Sequence, residues 1–279
     1  TRDLTTAVIL IASGSSPHRP GAVPFDDRLI YDSDSILHMS HIPKSMAVVG
    51  GGVIGSEYAS IFTALGVRVT LIDDRDRLIP FVDLELAERL RGYLEDLGLD
   101  FKLNRRVSTT EAGHDRVQMT LDDGTVVESE IALFAAGRQS NVEGLNLEPL
   151  GVKLGQRGLI LVNDSYQTSV PNIYAAGDVI GFPALASTSM EQARVGMVHA
   201  FNLLYKDRVA SILPLAVYTI PEISMVGLTE DECKAKNIPY LVGRSFYDKS
   251  PRGQIIGDTH GMLKLIFAPR DKKLLGVHL

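Results

Sequence analysis

The chain has 279 residues, 45% of them hydrophobic and 22% charged, with 28 basic against 34 acidic side chains and a formal net charge of −6. That content builds a sizeable core, points to two domains at ~100–200 residues each, and excludes a disordered or collagen-like chain. An acidic balance without a Lys/Arg run excludes a nucleic-acid partner, and the lone cysteine, Cys233, excludes an intrachain disulfide, a CxxC redox pair and a thiolate zinc site.

No apolar run approaches ~18 residues, so neither a transmembrane helix nor a membrane partner is expected. Thr1-Arg2-Asp3-Leu4 is neither a signal peptide nor an initiator Met, and the chain is expected to begin inside a longer one. Residues 6–12 (TAVILIA) predict a buried strand closed by a Ser/Gly/Pro turn. Residues 17–45, rich in Pro, Asp, Ser and His, read as a connecting segment. They hold one candidate helix start, Asp32 or Ser33 ahead of Ile36, Leu37 and Met39.

From Met46 the pattern sharpens: MAVVG is a strand, GGVIG a glycine turn, SEYASIFTALG a helix ending at Gly66, and VRVTLID a second strand. Together they make a βαβ unit of about 30 residues. LELAERLRGYLEDLG sets Leu86, Leu90, Tyr93, Leu94 and Leu97 on one helical face. RVQMTL and TVVESE flank Asp122-Asp123-Gly124 as a hairpin, and IALFAAG is another buried strand. Past Gly137, LILVN and NIYAAGD have strand character, and a helix is expected over residues 187–205. Pro214 and Pro221 mark a second boundary. After it come VYTIPEISMVG, a helix opened by Thr229 and Glu232 as a capping box, and a hairpin turning at residues 269–273. The chain is thus α/β first and α+β later.

Gly50-Gly51-Gly52-Val53-Ile54-Gly55 fits G-x-G-x-x-G between a strand and a helix, which points to dinucleotide binding. Gly50 permits the tight turn, Gly52 lets a pyrophosphate approach the backbone, and Gly55 lets helix and strand pack closely. The helix N-terminus, through Val53 and Ile54, offers N–H groups and partial positive charge to the phosphates. Asp73, 18 residues beyond Gly55, suits the adenosine ribose hydroxyls and repels a 2′-phosphate, which favours NAD. Arg75 and Arg77 follow at once and are what a 2′-phosphate needs, so mixed use of NAD and NADP is expected; for Arg77 a solvated charged turn is the preferred reading. His38 and His41 are spaced H-x-x-H without a third ligand and read as surface histidines, not a metal site.

Five ordered motifs resemble the flavin-dependent pyridine nucleotide–disulfide oxidoreductases: ASGSSP, GGGVIGSEYASIF, AAGRQSN, TSVPNIYAAGD and YTIPEISMVGLTE. The resemblance implies a Rossmann-like nicotinamide-binding domain (residues 41–136) inserted in a partial FAD domain (residues 1–40 and 137–212). A truncated α+β interface domain (residues 213–279) follows. It also implies FAD, NAD and NADP as cofactors, a homo-oligomer built through the C-terminal domain, and a cytoplasmic location. Glu57 would sit beside the nicotinamide, its alternative being an exposed first-turn glutamate favoured by the helix dipole. Val107 and Gly137 would line the adenine and nicotinamide sides. Gly14 would meet the flavin at the chain crossover, Asp178 would accept from a ribityl hydroxyl, and Ala186 would face the flavin through its backbone. Arg138 and Asn141 follow the family pattern or are purely structural.

Within the family, IYDSDSIL, EYASIF and DRDRLIPF are most similar to the branch that moves hydride between NADPH and NAD through FAD; dihydrolipoamide dehydrogenase and related disulfide reductases are the alternative. The family uses a second G-x-G-x-x-G for FAD, and this chain has one such motif, so it reads as an internal fragment. Alone it is expected to do no more than bind a nicotinamide nucleotide. Cys233, in the helix TEDECKAK, reads as a structural thiol.

Overall fold

A strand covered on both faces needs apolar side chains throughout, and Met46, Ala47 and Val48 meet that condition with almost no solvent exposure. In the computed structural model, which describes residues 4–279, they form the centre of a five-stranded parallel sheet. Its order is Ile30–Asp32, Ile131–Phe134, Ser45–Val49, Arg68–Asp73, Asp100–Leu103. The opening Thr1, Arg2 and Asp3, read above as neither leader nor initiator, lie outside the described residues.

The period of two then divides the core. Met46, Val48, Val69, Leu71 and Leu133 face Ala59 and Phe62 of the helix Val53–Ala64 and Leu86, Leu90 and Leu94 of the helix Leu84–Asp96. Ala47, Ile72, Ala132 and Phe134 face the other way, onto Val117, Met119, Leu121 and Val127. Those four come from a three-stranded antiparallel sheet, Val107–Ala112, Val117–Leu121 and Val126–Ser129, whose last two strands are the expected hairpin. Leu97, expected on the buried helix face, is instead exposed. It is the C-cap, and Gly98 at φ +99° turns the chain away before another helical turn forms.

The chain forms two compact units. One contains this sheet: residues 19–136 together with Ile212–Leu279. Residues 19–40, grouped above with the leading segment, belong here because Ile30–Asp32 pairs with Ile131–Phe134. The helix expected after Asp32 is only a 3-10 turn, Ser35–His38. Asp32 Oδ1 accepts the Asp34 and Ser35 N–H groups at 2.9 and 2.8 Å and holds the chain in an Asx turn. The C-terminal part is a five-stranded antiparallel sheet ordered Leu215–Val217, Ile223–Gly227, Leu274–His278, Met262–Phe267, Leu241–Phe246. Both hydrogen bonds of the Thr229–Glu232 capping box are present at the start of the helix Glu230–Ala235.

The other unit contains residues 4–18 and Gly137–Ser211. Ile9–Ile11 pairs in parallel with Ile173–Ala175, and Ser15–Pro17 pairs antiparallel with Arg138–Ser140. Ile11, Val152, Ile160, Ile173, Ala175 and Val179 form its core. Residues 159–163 are not the expected strand: Ile160 makes only a single bridge to Leu154, and Asn163 Oδ1 captures the Ser165 and Gln167 amides at 3.0 Å. The helix expected to reach residue 205 spans Ala186–Ala200, and Asn202 at φ +51° follows its end.

Lys264 is the largest fully buried side chain of the C-terminal sheet, at 1% exposure. Its Nζ meets Asp83 Oδ1 at 2.7 Å, Glu85 Oε2 at 3.1 Å and Glu230 Oε1 at 2.5 Å, joining the N-terminus of the helix Leu84–Asp96 to the C-terminal sheet. Burial pushes the Asp83 and Glu230 carboxyls up, but the Lys264 hydrogen bond and charge, joined by the Glu230 N–H at Asp83 and by Tyr240 and Arg244 at Glu230, together outweigh it and hold both below the usual carboxylate range. Stability from this cluster is therefore present above about pH 4 and is lost as pH falls from there through the depressed folded-state values. Lys264→Met leaves Asp83 buried without its cation and should cost about 3–5 kcal/mol at pH 7. Urea midpoints measured across pH should show the gap to wild type closing in acid; a gap independent of pH would contradict the ion cluster.

Candidate functional site

From Ser45–Val49 the chain runs outward through Arg68–Asp73 to Asp100–Leu103, then returns as Ile131–Phe134 on the other side of Ser45–Val49. The order reverses at the carboxyl end of Ser45–Val49, where open α/β sheets form their ligand crevices. The glycine turn occupies that point. Gly50 has φ +112°, and a Cβ there would lie 2.5 Å from the Ala135 carbonyl oxygen. At Gly55 a Cβ would overlap the Gly50 carbonyl outright. Gly52 differs: nothing lies within 4 Å of its Cβ position except Arg75 Nη2, at 4.0 Å. Two glycines are thus required by packing, and the third faces room for a ligand.

Gly52 is also the N-cap of the helix Val53–Ala64, with extended backbone and no side-chain cap. Helix geometry leaves the Val53, Ile54 and Gly55 N–H groups without intrahelical acceptors, while Ser56 N–H already bonds Gly52 O at 3.0 Å. With the positive end of the helix dipole these groups favour negative charge at the helix start.

Asp73 ends the next strand with its carboxylate buried. Its Oδ2 accepts from Gly51 N–H and from Arg75 Nη2 (2.6 Å), and its Oδ1 accepts from the Arg75 N–H (2.8 Å) and Nε (2.7 Å). Burial raises this carboxyl, and the Arg75 and Gly51 hydrogen bonds more than reverse the effect, holding it below the ordinary range. Arg77 is not the solvated turn residue expected: it donates to Pro80 O at 2.8 Å and to Asp231 at 3.3 Å. Val107 opens the three-stranded sheet, half-buried, two residues after Arg105, whose N–H bonds Asp73 O.

Glu57 lies beyond the first helical turn, so the dipole reading does not apply. Its Oε1 accepts the Tyr218 N–H at 2.8 Å, and Ser60 Oγ accepts the Ile220 N–H at 3.1 Å. These two bonds fasten the helix after the glycine turn to the start of the C-terminal sheet region. Sequence reasoning missed this pairing because the partner is a main-chain N–H, which has no sequence signature.

Gly14, Gly137, Asp178 and Ala186 all belong to the other unit. Gly14 has φ +72° and open space at its Cβ position, whereas a Cβ on Gly137 would overlap Arg157 Nη1. Asp178 Oδ2 accepts from Ser15 Oγ at 3.0 Å, and Arg138 Nε donates to that same Oγ at 2.7 Å. Asn141 Nδ2 donates to Ser13 O at 3.0 Å. Ala186 starts the helix Ala186–Ala200, whose N-cap, Leu185, has no capping side chain. Gln192 of that helix accepts the Gly177 N–H at 2.8 Å. Ser15 and Gln192 were not anticipated; ASGSSP and the following helix contained them, as a turn residue and as ordinary helix polarity.

Among the described residues no cluster of three His, Cys, Asp or Glu could hold a metal ion, and His41 pairs instead with Glu130 at 2.8 Å. Cys233 is buried, and burial raises its thiol. No helix of the described residues is long and apolar enough to cross a membrane.

Comparison with known proteins agrees with this geometry. The family model described as pyridine nucleotide-disulphide oxidoreductase matches residues 1–193, and that of its dimerisation domain matches residues 213–279. The chain is 46% identical over 281 aligned positions to the soluble pyridine nucleotide transhydrogenase of Mycobacterium tuberculosis, covering 100% of this chain and 60% of the relative. It is 43% identical to the protein of that name from Marinomonas sp., covering 97% and 58%. Among solved structures, LpdA from Mycobacterium tuberculosis aligns at TM-score 0.89 and 28% identity, covering 97% of this chain and 59% of that one. The HOCl-induced flavoprotein disulfide reductase RclA from Escherichia coli aligns at TM-score 0.87 and 28% identity, covering 98% and 63%. The chain thus spans about three-fifths of the length of these relatives. With its reversed parallel sheet, its glycine turn and the match over residues 1–193, the chain belongs to the pyridine nucleotide–disulphide oxidoreductase family.

Proposed function

We propose that this chain is the nicotinamide-binding and part of the flavin-binding portion of an FAD-dependent enzyme that moves hydride between NADPH and NAD. The observation that carries the reading is the open face of Gly52 beneath the uncapped helix start, in a chain 43–46% identical to proteins named soluble pyridine nucleotide transhydrogenase. Val53, Ile54 and Gly55 hold the pyrophosphate of NAD or NADP through their N–H groups, and Asp73 and Arg75 meet the adenosine ribose. Glu57 and Val107 flank the nicotinamide and adenine ends. The Gly14, Gly137, Asp178 and Ala186 unit fits FAD in its chemistry: a polar carboxylate oriented by Ser15 for a ribityl hydroxyl, and a helix start without a capping side chain. When bound, FAD supplies the hydride-accepting ring, and the protein supplies orientation and exclusion of water. Residues 213–279 make the enzyme a homodimer, and the single unpaired cysteine suits the reducing cytoplasm.

A disulfide reductase is the second reading, favoured by the name of RclA. It needs a redox-active cysteine pair outside these residues, because the one cysteine here is buried with a raised thiol. The full-length protein, assayed with NADPH and a spectrally distinct NAD analogue, should transfer hydride without any disulfide present. Turnover only with lipoamide or another disulfide would replace this reading with the second.

The nucleotide loop, the helix after it and Asp73 lie in one compact unit, so this chain alone should bind NADH. Gly52 has φ −75°, which any residue adopts, and its Cβ position is open, so Gly52→Leu should fold normally. Its side chain occupies the pyrophosphate's approach and should weaken NADH binding more than about a hundredfold by fluorescence titration. Retained affinity would place the nucleotide elsewhere.

A further inference from the structure

An ionised carboxylate offers about four acceptor positions, and all four on Asp73 are taken within the protein. Gly51 N–H and Arg75 Nη2 occupy Oδ2, and the Arg75 N–H and Nε occupy Oδ1. The Asp73 side chain is only 3% exposed, so its partner cannot be exchanged for water at little cost. Arg75 is the opposite case. Its side chain is 42% exposed, and Nη2 lies nearest the open face of Gly52. The main chain around the pair is fixed, with Asn104 N–H on Arg75 O and Arg105 N–H on Asp73 O, both at 3.0 Å. Only the guanidinium is left to move. A ribose diol can therefore reach Asp73 only by displacing the arginine fork.

We propose that Asp73 and Arg75 form a selectivity switch: Arg75 competes within the protein against the adenosine ribose of NAD(H) for Asp73, and, once released, it binds the 2′-phosphate of NADP(H). The inference rests on the nucleotide reading above and deepens it. One pocket then serves both nucleotides by exchanging the partner of a single side chain. With NAD(H) the diol's hydroxyls replace the guanidinium on the carboxylate. With NADP(H) the guanidinium follows the phosphate, and Gly51 N–H remains on Asp73. Arg106, paired with Asp74 at 3.1 Å and largely exposed, is a further cation on these loops.

The switch makes an unusual demand. If Arg75 were simply a binding residue or a scaffold, removing it would weaken or leave unchanged the affinity for both nucleotides. As a competitor, its removal strengthens one of them. The test is titration of the full-length protein with NADH and with NADPH, separately, for wild type, Arg75→Ala and Asp73→Asn. Arg75→Ala should bind NADH about threefold to tenfold more tightly and NADPH at least about tenfold more weakly. Asp73→Asn keeps an acceptor for Gly51 N–H but frees Arg75, and should shift both affinities in the opposite directions. Arg75→Lys, which keeps the charge and loses the fork, should relieve NADH competition while retaining most NADPH affinity. Weaker NADH binding by Arg75→Ala and Arg75→Lys, or no change in either, would overturn the proposal. Failure of wild type to bind either nucleotide would overturn both this switch and the nucleotide reading; binding of both without hydride transfer would overturn the transhydrogenase reading alone.

Discussion

The site depends on one missing atom. Residue 55 has no Cβ, and the helix Val53–Ala64 therefore lies directly against the Gly50 carbonyl, closer than any other residue would permit. That approach aims the helix start across the carboxyl end of the central strand, at the point where the sheet order reverses. Gly50, at positive φ beneath the Ala135 carbonyl, supplies the turn that this demands. With both constraints satisfied, the Val53, Ile54 and Gly55 amides and the bare face of Gly52 open together at the helix start. That surface is backbone, and its shape is set by packing.

Around that surface the protein places charges that complete one another. Gly51 N–H ties the loop to Asp73, Asp73 holds Arg75, and the main chain of both is anchored by the Asn104–Arg105 turn. On the far side of the same helix, Glu57 and Ser60 accept N–H groups of Tyr218 and Ile220. At the start of the next helix, Asp83 shares Lys264 with Glu85 and Glu230. The C-terminal sheet is thus joined to the parallel sheet at two helices, once through neutral donors and once through a buried cation. Both joints leave the glycine turn itself untouched.

Much of this was legible in the sequence where local and global preferences agree. The strand–Gly50–Gly55–helix–strand unit, the hairpin at Asp122–Gly124 and the Thr229–Glu232 capping box each have a short-range cause, and each is present. Short strands were not legible. Ser15–Pro17 and Arg138–Ser140 have three residues each and exist only because they pair with one another across the chain. Asp32 misled for a chemical reason, since the side chain that marks a helix start also closes an Asx turn. Lys264 sits in an alternating run, MLKLIF, at a buried position that pattern alone assigns to an apolar residue; its three acids are 34 to 181 residues away. Asp73 was legible as an acid at the end of the strand after the glycine turn. Its saturation by Arg75 required coordinates, because adjacency in DDRDR suggests only solvated charge.

In the proposed function, the backbone amides at the start of Val53–Ala64 receive the nucleotide's phosphates. Amide chemical shifts of this chain, followed by two-dimensional NMR during titration with NADH, test it most directly. Phosphates seated there should shift Gly52, Val53, Ile54 and Gly55 most, with the Gly124 hairpin and the Thr229 capping box unmoved. Shifts confined to other segments, with the glycine turn silent at saturation, would contradict it.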